Sequence, residues 1–268
     1  MKITIKALSA ALFFLTGCEW VDYHPYSGDY EGDSHLTEFN LERIKRLNLG
    51  SEYTFAFITD TQRWYDDTHD AVNNINARGD IDFVLHGGDL TDFGAIQEFE
   101  LMRDELCRLR MPHLTVIGNH DCQASGEHVY NIMYGRCNYA LTVGNTRIIA
   151  INTSALEHDY SANIPDFNFL NNEISCCSAT NQTKADSITH TIMFMHARPN
   201  DDQFNNNALE LFNMKLAKLP GFSDDSPKIE SEDPVMNGSR RDAFCLCGHC
   251  HSTKVLNPFY DGKLLVVR

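Results

Sequence analysis

Five short segments of this chain collect side chains able to hold metal ions. They are Thr59-Asp60-Thr61-Gln62, Gly87-Gly88-Asp89-Leu90-Thr91-Asp92, Gly118-Asn119-His120-Asp121, Met195-His196-Ala197-Arg198 and Gly248-His249-Cys250-His251. Imidazole, carboxamide and carboxylate together suit Mn, Fe, Zn and similar divalent ions. Two such ions held about 3.5–4 Å apart can clamp a phosphoryl group during in-line displacement. Asp60 and Asp89 set two negative charges against the four of two divalent ions. The remaining excess of about two positive charges would attract a phosphate anion.

Each segment directly follows an apolar run, which explains how residues so far apart in sequence can meet. The first half reads as strands at Tyr53–Thr59, Ile81–Leu85 and His113–Ile117, separated by helical stretches at Tyr65–Ala77 and Ala95–Leu109. That alternation predicts a buried, largely parallel sheet, whose strands deliver their trailing residues to one crevice at their carboxyl ends. Two β-prone runs, Tyr139–Val143 and Arg147–Asn152, then flank Gly144-Asn145 and read as a hairpin. Beyond it lie a helix at Phe167–Ile174, a strand at Thr189–Met195, a helix at Ala208–Leu219, an acidic loop at Gly221–Ser239, and strands at Ala243–Cys247 and Leu264–Val267.

The five blocks, in this order over residues 53–251, resemble the calcineurin-like metallophosphoesterase family. Its pattern is Asp-x-His, Gly-Asp-x-x-Asp, Gly-Asn-His followed by Asp or Glu, a lone His, and Gly-His-x-His. The resemblance implies an α/β fold in which a β-sandwich is flanked by helices as four αββα layers, with two divalent ions at one sheet edge. It makes Asp60 and His251 ligands of one ion, Asn119, His196 and His249 ligands of the other, and Asp89 the bridge between them. It implies hydrolysis of a phosphomonoester or phosphodiester, on a small molecule or a phosphorylated partner, with a metal-bridging hydroxide as nucleophile and His120 as the acid near the leaving group. Asp121, next to His120, would hold its imidazolium.

The chain departs from the family pattern at Gln62, where His is more usual. A carboxamide oxygen can still bind the first ion, but it is a harder ligand and should favour Mn or Mg over Zn. Arg63 and Arg198 flank motif residues and each could grip a phosphate oxygen or form an ordinary ion pair. Asp92 reads as a hydrogen-bond partner behind the ligands. Cys247 and Cys250 alone could be half of a structural zinc cage, but no second pair completes it. A different reading of the whole chain is a catalytically weak module that keeps the metal cage to capture a phosphorylated ligand. The His120-Asp121 pair speaks against it, since binding alone requires no proton donor.

The net charge of −15 over 268 residues argues against a nucleic-acid surface, though a local basic pocket is compatible with it. Residues 1–17 read as a leader: Lys2 and Lys6 precede a short apolar stretch at Ala7–Leu15. The sequence Leu15-Thr16-Gly17-Cys18 resembles a bacterial lipobox, which implies a lipid on Cys18 and a place in the bacterial cell envelope, facing the periplasm or the surface. Residues 18–51 read as a tether followed by a short helix over Leu36–Leu49, and residues 52–268 as the catalytic domain. Family members continue for another strand or two beyond the point where this chain ends, so it reads as a short member or a fragment. Eight cysteines follow Cys18, an even number that an oxidising compartment would allow to pair.

Overall fold

Along the second strand of the computed structural model, Phe83 and Leu85 face one core and Val84 faces another, and this alternation recurs through both sheets. The structure describes residues 30–183, 187–222, 243–251, 255–256 and 266–267. The leader, Cys18, most of the acidic loop at Gly221–Ser239 and the start of the strand at Leu264 lie outside the described residues.

The first sheet has three parallel strands in the order β1 (Phe55–Ile58), β2 (Phe83–His86), β3 (His113–Thr115). The second is mixed, ordered β4 (Tyr139–Val143), β5 (Thr146–Ala150), β6 (His190–Met195), β7 (Ala243–Cys247), β9 (Val266–Val267), β8 (Val255–Leu256). Its β4–β5 pair is the expected antiparallel hairpin, while β5, β6, β7 and β9 run parallel. The parallel sheet expected of the first half is the first sheet, and the hairpin opens a second one. The two sheets pack face to face through Phe83, Leu85 and Leu114 on one side and Ile148, Ile192, Phe194 and Leu246 on the other.

Helices cover both outer faces and complete four layers. On the first sheet lie α2 (Tyr65–Ala77), α3 (Ile96–Leu106) and α4 (Gly126–Met133). Thr68, Val72 and Ile75 line the buried side of α2, and Phe99, Met102 and Leu106 that of α3, at the spacing of one helical face. On the second sheet, α5 (Phe167–Thr183) and α6 (Leu209–Leu216) bury Leu170, Cys177, Phe212 and Leu216 against Ile149, Met193 and Met195. Truncating a central residue such as Phe194 to Ala should cost about 3–5 kcal/mol.

Three differences from the sequence reading have local causes. Helix α5 runs nine residues past Ile174 to Thr183, where Cys177 is buried in the outer core and holds the extension against the second sheet, while Ser175, Ser178 and Thr180 return their hydroxyls to carbonyls four residues back. Helix α4 was not expected, being short and opening on Gly126. Helix α1 (Leu36–Leu47) is seated on the catalytic body: Ile44 is buried in the inter-sheet core, and Tyr30 before the helix is buried against α3 and α4. Among the described residues no helix is long and apolar enough to cross a membrane.

Candidate metal centre

Asp60 follows β1, Asp89 follows β2, Asn119 follows β3, His196 follows β6 and His249 follows β7, so the carboxyl ends of both sheets meet at one edge. Backbone hydrogen bonds lace these loops together: Asp60 N to Gly88 O at 3.0 Å, Gln62 N to Asp89 O at 3.1 Å, and Gly248 N to His196 O at 3.1 Å. Close approach demands glycine at Gly118, where any Cβ would collide with Asp89. Asp60, Gln62, Asp89, His249 and His251 all sit at positive φ, between 41° and 72°. Such backbone costs on the order of 1 kcal/mol or more per residue and persists only where surrounding bonds enforce it.

The donor atoms converge as an ion would require. Asn119 Oδ1 lies 3.0 Å from Nε2 of His196 and 3.0 Å from Nδ1 of His249, and Asp89 Oδ2 lies 3.2 Å from His196 Nε2. With ligand bonds of about 2.1 Å, neighbouring donors around an octahedral ion stand about 3.0 Å apart, so these separations fit edges of its coordination shell. The far ring nitrogens are already engaged. His196 Nδ1 donates to Gly87 O at 2.9 Å, and His249 Nε2 faces Asp201 Oδ1 at 3.2 Å, which leaves the other nitrogen of each ring as a lone-pair donor. Beside this cluster, His251 Nε2 is 3.4 Å from Asp60 Oδ1, and Gln62 Nε2 is 3.3 Å from Asp89 Oδ2. A continuous chain of contacts thus links all seven ligands expected from the sequence.

The electrostatics of the cluster call for a cation. Burial disfavours a charged His196 ring, but the Asp89 carboxylate outweighs it and pushes the pKa up to about 9. Asp89 in turn is held below the usual carboxylate range by His196 and His120, against its own burial. A metal ion bound here would compete with a proton for His196 Nε2. Burial also opposes ionisation of Asp201, yet its bonds to His249 and to the Gln203 amide bring it down to about 2.

Asp121 does not hold the His120 ring as expected. Its carboxylate is buried among N–H donors, accepting from Thr91 N at 2.8 Å, Gly118 N at 3.0 Å and Leu90 N at 3.2 Å, and it ties the second and third ligand loops together. Burial and the nearby Asp89 charge raise its pKa to about 7, against the pull of those amides. The partner of His120 is a carbonyl: Nδ1 lies 2.7 Å from Asp92 O, while the His120 amide donates to Asp89 Oδ1 at 3.0 Å. Arg63 is paired with Asp92 at 2.9 Å, the ordinary ion pair that the sequence also allowed. Arg198 donates to Pro199 O at 3.0 Å and has a buried Nε with no protein partner.

Cys247 belongs to the outer core, whereas Cys250 reaches Asp201 at 3.6 Å, so the two do not form half a zinc cage. All eight cysteines after Cys18 are free thiols. Two contributors to the site carried no motif. Asp201 is one of several acids in its loop. His86, at the end of β2, accepts from Gly88 N at 3.2 Å and faces Thr61 Oγ1 at 3.0 Å, fixing two ligand loops. Burial, with the neighbouring His113, holds its ring neutral with a pKa of about 3.

Comparison with known proteins identifies the family and the fold. Residues 53–252 match the family model for calcineurin-like phosphoesterases. A search of curated protein sequences gives no match. Among solved structures, a purple acid phosphatase from yellow lupin (Lupinus luteus) seeds is similar at a TM-score of 0.51 with 14% identity, covering 82% of this chain and 44% of that one. The chain thus spans less than half the length of that phosphatase, and the likeness shows the fold. A phosphopantetheinyl hydrolase from Mycobacterium tuberculosis matches at a TM-score of 0.41 with 14% identity, covering 82% of this chain and 89% of that one. A Plasmodium protein described as the anchor in the inner membrane complex matches at 0.48 with 12% identity, covering 80% and 70%.

Proposed function

Because the chain belongs to the calcineurin-like phosphoesterase family, we propose that it hydrolyses phosphate esters with two divalent ions held by Asp60, Gln62, Asp89, Asn119, His196, His249 and His251. The observation that carries this reading is the position of Asn119 Oδ1, 3.0 Å from a nitrogen of both His196 and His249, with the far side of each ring already anchored. Bound there, the ions would polarise the phosphoryl oxygens and supply an activated water.

The chain's own residues do the rest. Asp89 links the two halves of the cage, touching His196 on one side and Gln62 on the other. His120 donates Nδ1–H to Asp92 O, which orients the ring and reserves Nε2 for delivering a proton to the departing oxygen. With Arg63 engaged by Asp92, the phosphate-gripping role falls to Arg198, which has no carboxylate partner among the described residues. Substrate choice rests with the loops at Ser154–Phe167 and Asn200–Ser239.

Release of nitrophenolate from nitrophenyl phosphate and its diester, before chelation and after Mn is restored, tests the reading. Metal-dependent turnover supports it. Tight phosphate binding with no turnover on any ester would instead identify a capture module. We further propose that Cys18 carries a lipid that places the enzyme at the cell envelope, a reading supported by the leader sequence. Incorporation of labelled palmitate should occur in the wild type and vanish in Cys18→Ala; labelling that persists in the variant refutes it.

A further inference from the structure

At the edge of the molecule opposite the metal centre, an arginine cluster surrounds a cavity that the proposed reaction does not use. The cavity, about 510 Å3, opens among Arg43, Arg46 and Leu47 of α1, Arg78 just after α2, and Arg110 and Met111 just before β3. The chain at Asp82 and Pro112 enters β2 and β3 here, whereas Asp89 and Asn119 lie where those strands end. A full strand length therefore separates the two places.

Four guanidinium groups around one cavity are unexpected in a chain with 22 basic and 37 acidic side chains. In such a chain an arginine readily finds a carboxylate, as Arg63, Arg103, Arg108 and Arg147 do. Arg78 also does so, through Asp80 at 2.8 and 3.0 Å. Arg43, Arg46 and Arg110 form no salt bridge among the described residues, although the Glu42 carboxylate, four residues before Arg46 on α1, feels the Arg46 charge. Arg43 spends its donors on neutral oxygens, Asn40 Oδ1 at 2.9 Å and Arg110 O at 3.2 Å. The Arg110 guanidinium makes a long 3.5 Å contact with Asn76 O. Asp82 borders the cavity, but its Oδ2 accepts from Thr54 N at 2.8 Å. Four arginines against the lining carboxylate of Asp82 and the Asp80 that pairs with Arg78 leave an excess of positive charge around the cavity, which a multivalent anion would offset.

A phosphate group matches this arrangement best, since its oxygens accept the parallel N–H pairs of guanidinium forks. Leu47 and Met111 supply an apolar wall for whatever the phosphate is attached to. We propose that this cavity is a second anion site, distinct from the metal centre, that binds a phosphate group either free in solution or as the headgroup of an anionic phospholipid.

The test compares the full, metal-loaded chain with Arg46→Gln/Arg110→Gln and with the charge-keeping Arg46→Lys/Arg110→Lys. Calorimetric titration with inorganic phosphate reads the soluble source. Sedimentation with phosphatidylcholine vesicles, with and without phosphatidylglycerol, reads the headgroup. In at least one arm the Gln pair should bind about tenfold or more weakly than the wild type, the Lys pair should fall between, and nitrophenyl phosphate turnover should stay unchanged in both variants. Loss confined to phosphate assigns a soluble ligand, and loss confined to the phosphatidylglycerol-dependent fraction assigns the headgroup. Equal binding by wild type and the Gln pair in both arms overturns the proposal.

Discussion

The Asp201 carboxylate lies 3.2 Å from Nε2 of His249, on the side of the ring away from Asn119. This contact decides which nitrogen of His249 keeps its lone pair, and it anchors a ligand that otherwise stands on strained backbone at φ 72°. Removing such a support typically weakens metal binding about 10–100-fold. Asp201→Asn should therefore need correspondingly more Mn for half-maximal activity while its turnover at saturating Mn stays within a few-fold. An unchanged Mn requirement would show that Asp201 does not position the ligand.

His120 should matter in proportion to the difficulty of the leaving group. Its ring is set by Asp92 O at 2.7 Å, and the proton it would deliver is worth most to a poor leaving group such as an alkoxide. His120→Ala should slow alkyl phosphate hydrolysis by roughly 100-fold or more and nitrophenyl phosphate hydrolysis far less. Equal losses on both substrates would remove the acid role.

Gln62 sets metal preference if its carboxamide joins the first coordination shell. It lies beside Asp89, at 3.3 Å, and it is buried. Gln62→His exchanges a hard oxygen for imidazole and should shift the ratio of Zn- to Mn-supported activity upward. If that ratio does not move, Gln62 bonds to water or to Asp89 alone.

Acid should destabilise the fold through His113. Both ring nitrogens are buried without a partner, and burial, with the Arg43 charge, holds the pKa down to about 4 from 6.5. The folded ring stays neutral while the unfolded ring takes up a proton, so stability falls as pH drops from about 6.5 to about 4 and levels off below that. By linkage the loss is about 2 kcal/mol at pH 5 and about 3 kcal/mol in the limit. His113→Leu should flatten that part of the profile in urea unfolding at several pH values. A slope identical to the wild type would mean that other groups carry the acid sensitivity.

The convergence of the candidate ligands was legible because each follows an apolar run, so chain order alone delivers Asp60, Asp89 and Asn119 to one sheet edge. Their supports were not. Asp201 reaches His249 from a loop rich in acids, and nothing local marks it out from Asp202. Asp121 sits next to His120 in sequence, but the ligand-loop amides of Leu90, Thr91 and Gly118 claim its carboxylate. The arginine cluster joins residues from α1, the end of α2 and the approach to β3, a proximity that only the packing of α1 creates. The two-sheet architecture came from the family resemblance rather than from periodicity, which cannot tell one buried sheet from two.

Metal content and phosphate release, measured together on wild type and Asn119→Ala, test the central claim most directly. The wild type, stripped and reloaded with Mn, should bind two ions per chain and regain phosphate release as they bind. Asn119→Ala should lose tight binding of one ion and with it nearly all turnover. Phosphate release that survives stripping, or that is indifferent to Asn119→Ala at full metal load, would contradict it.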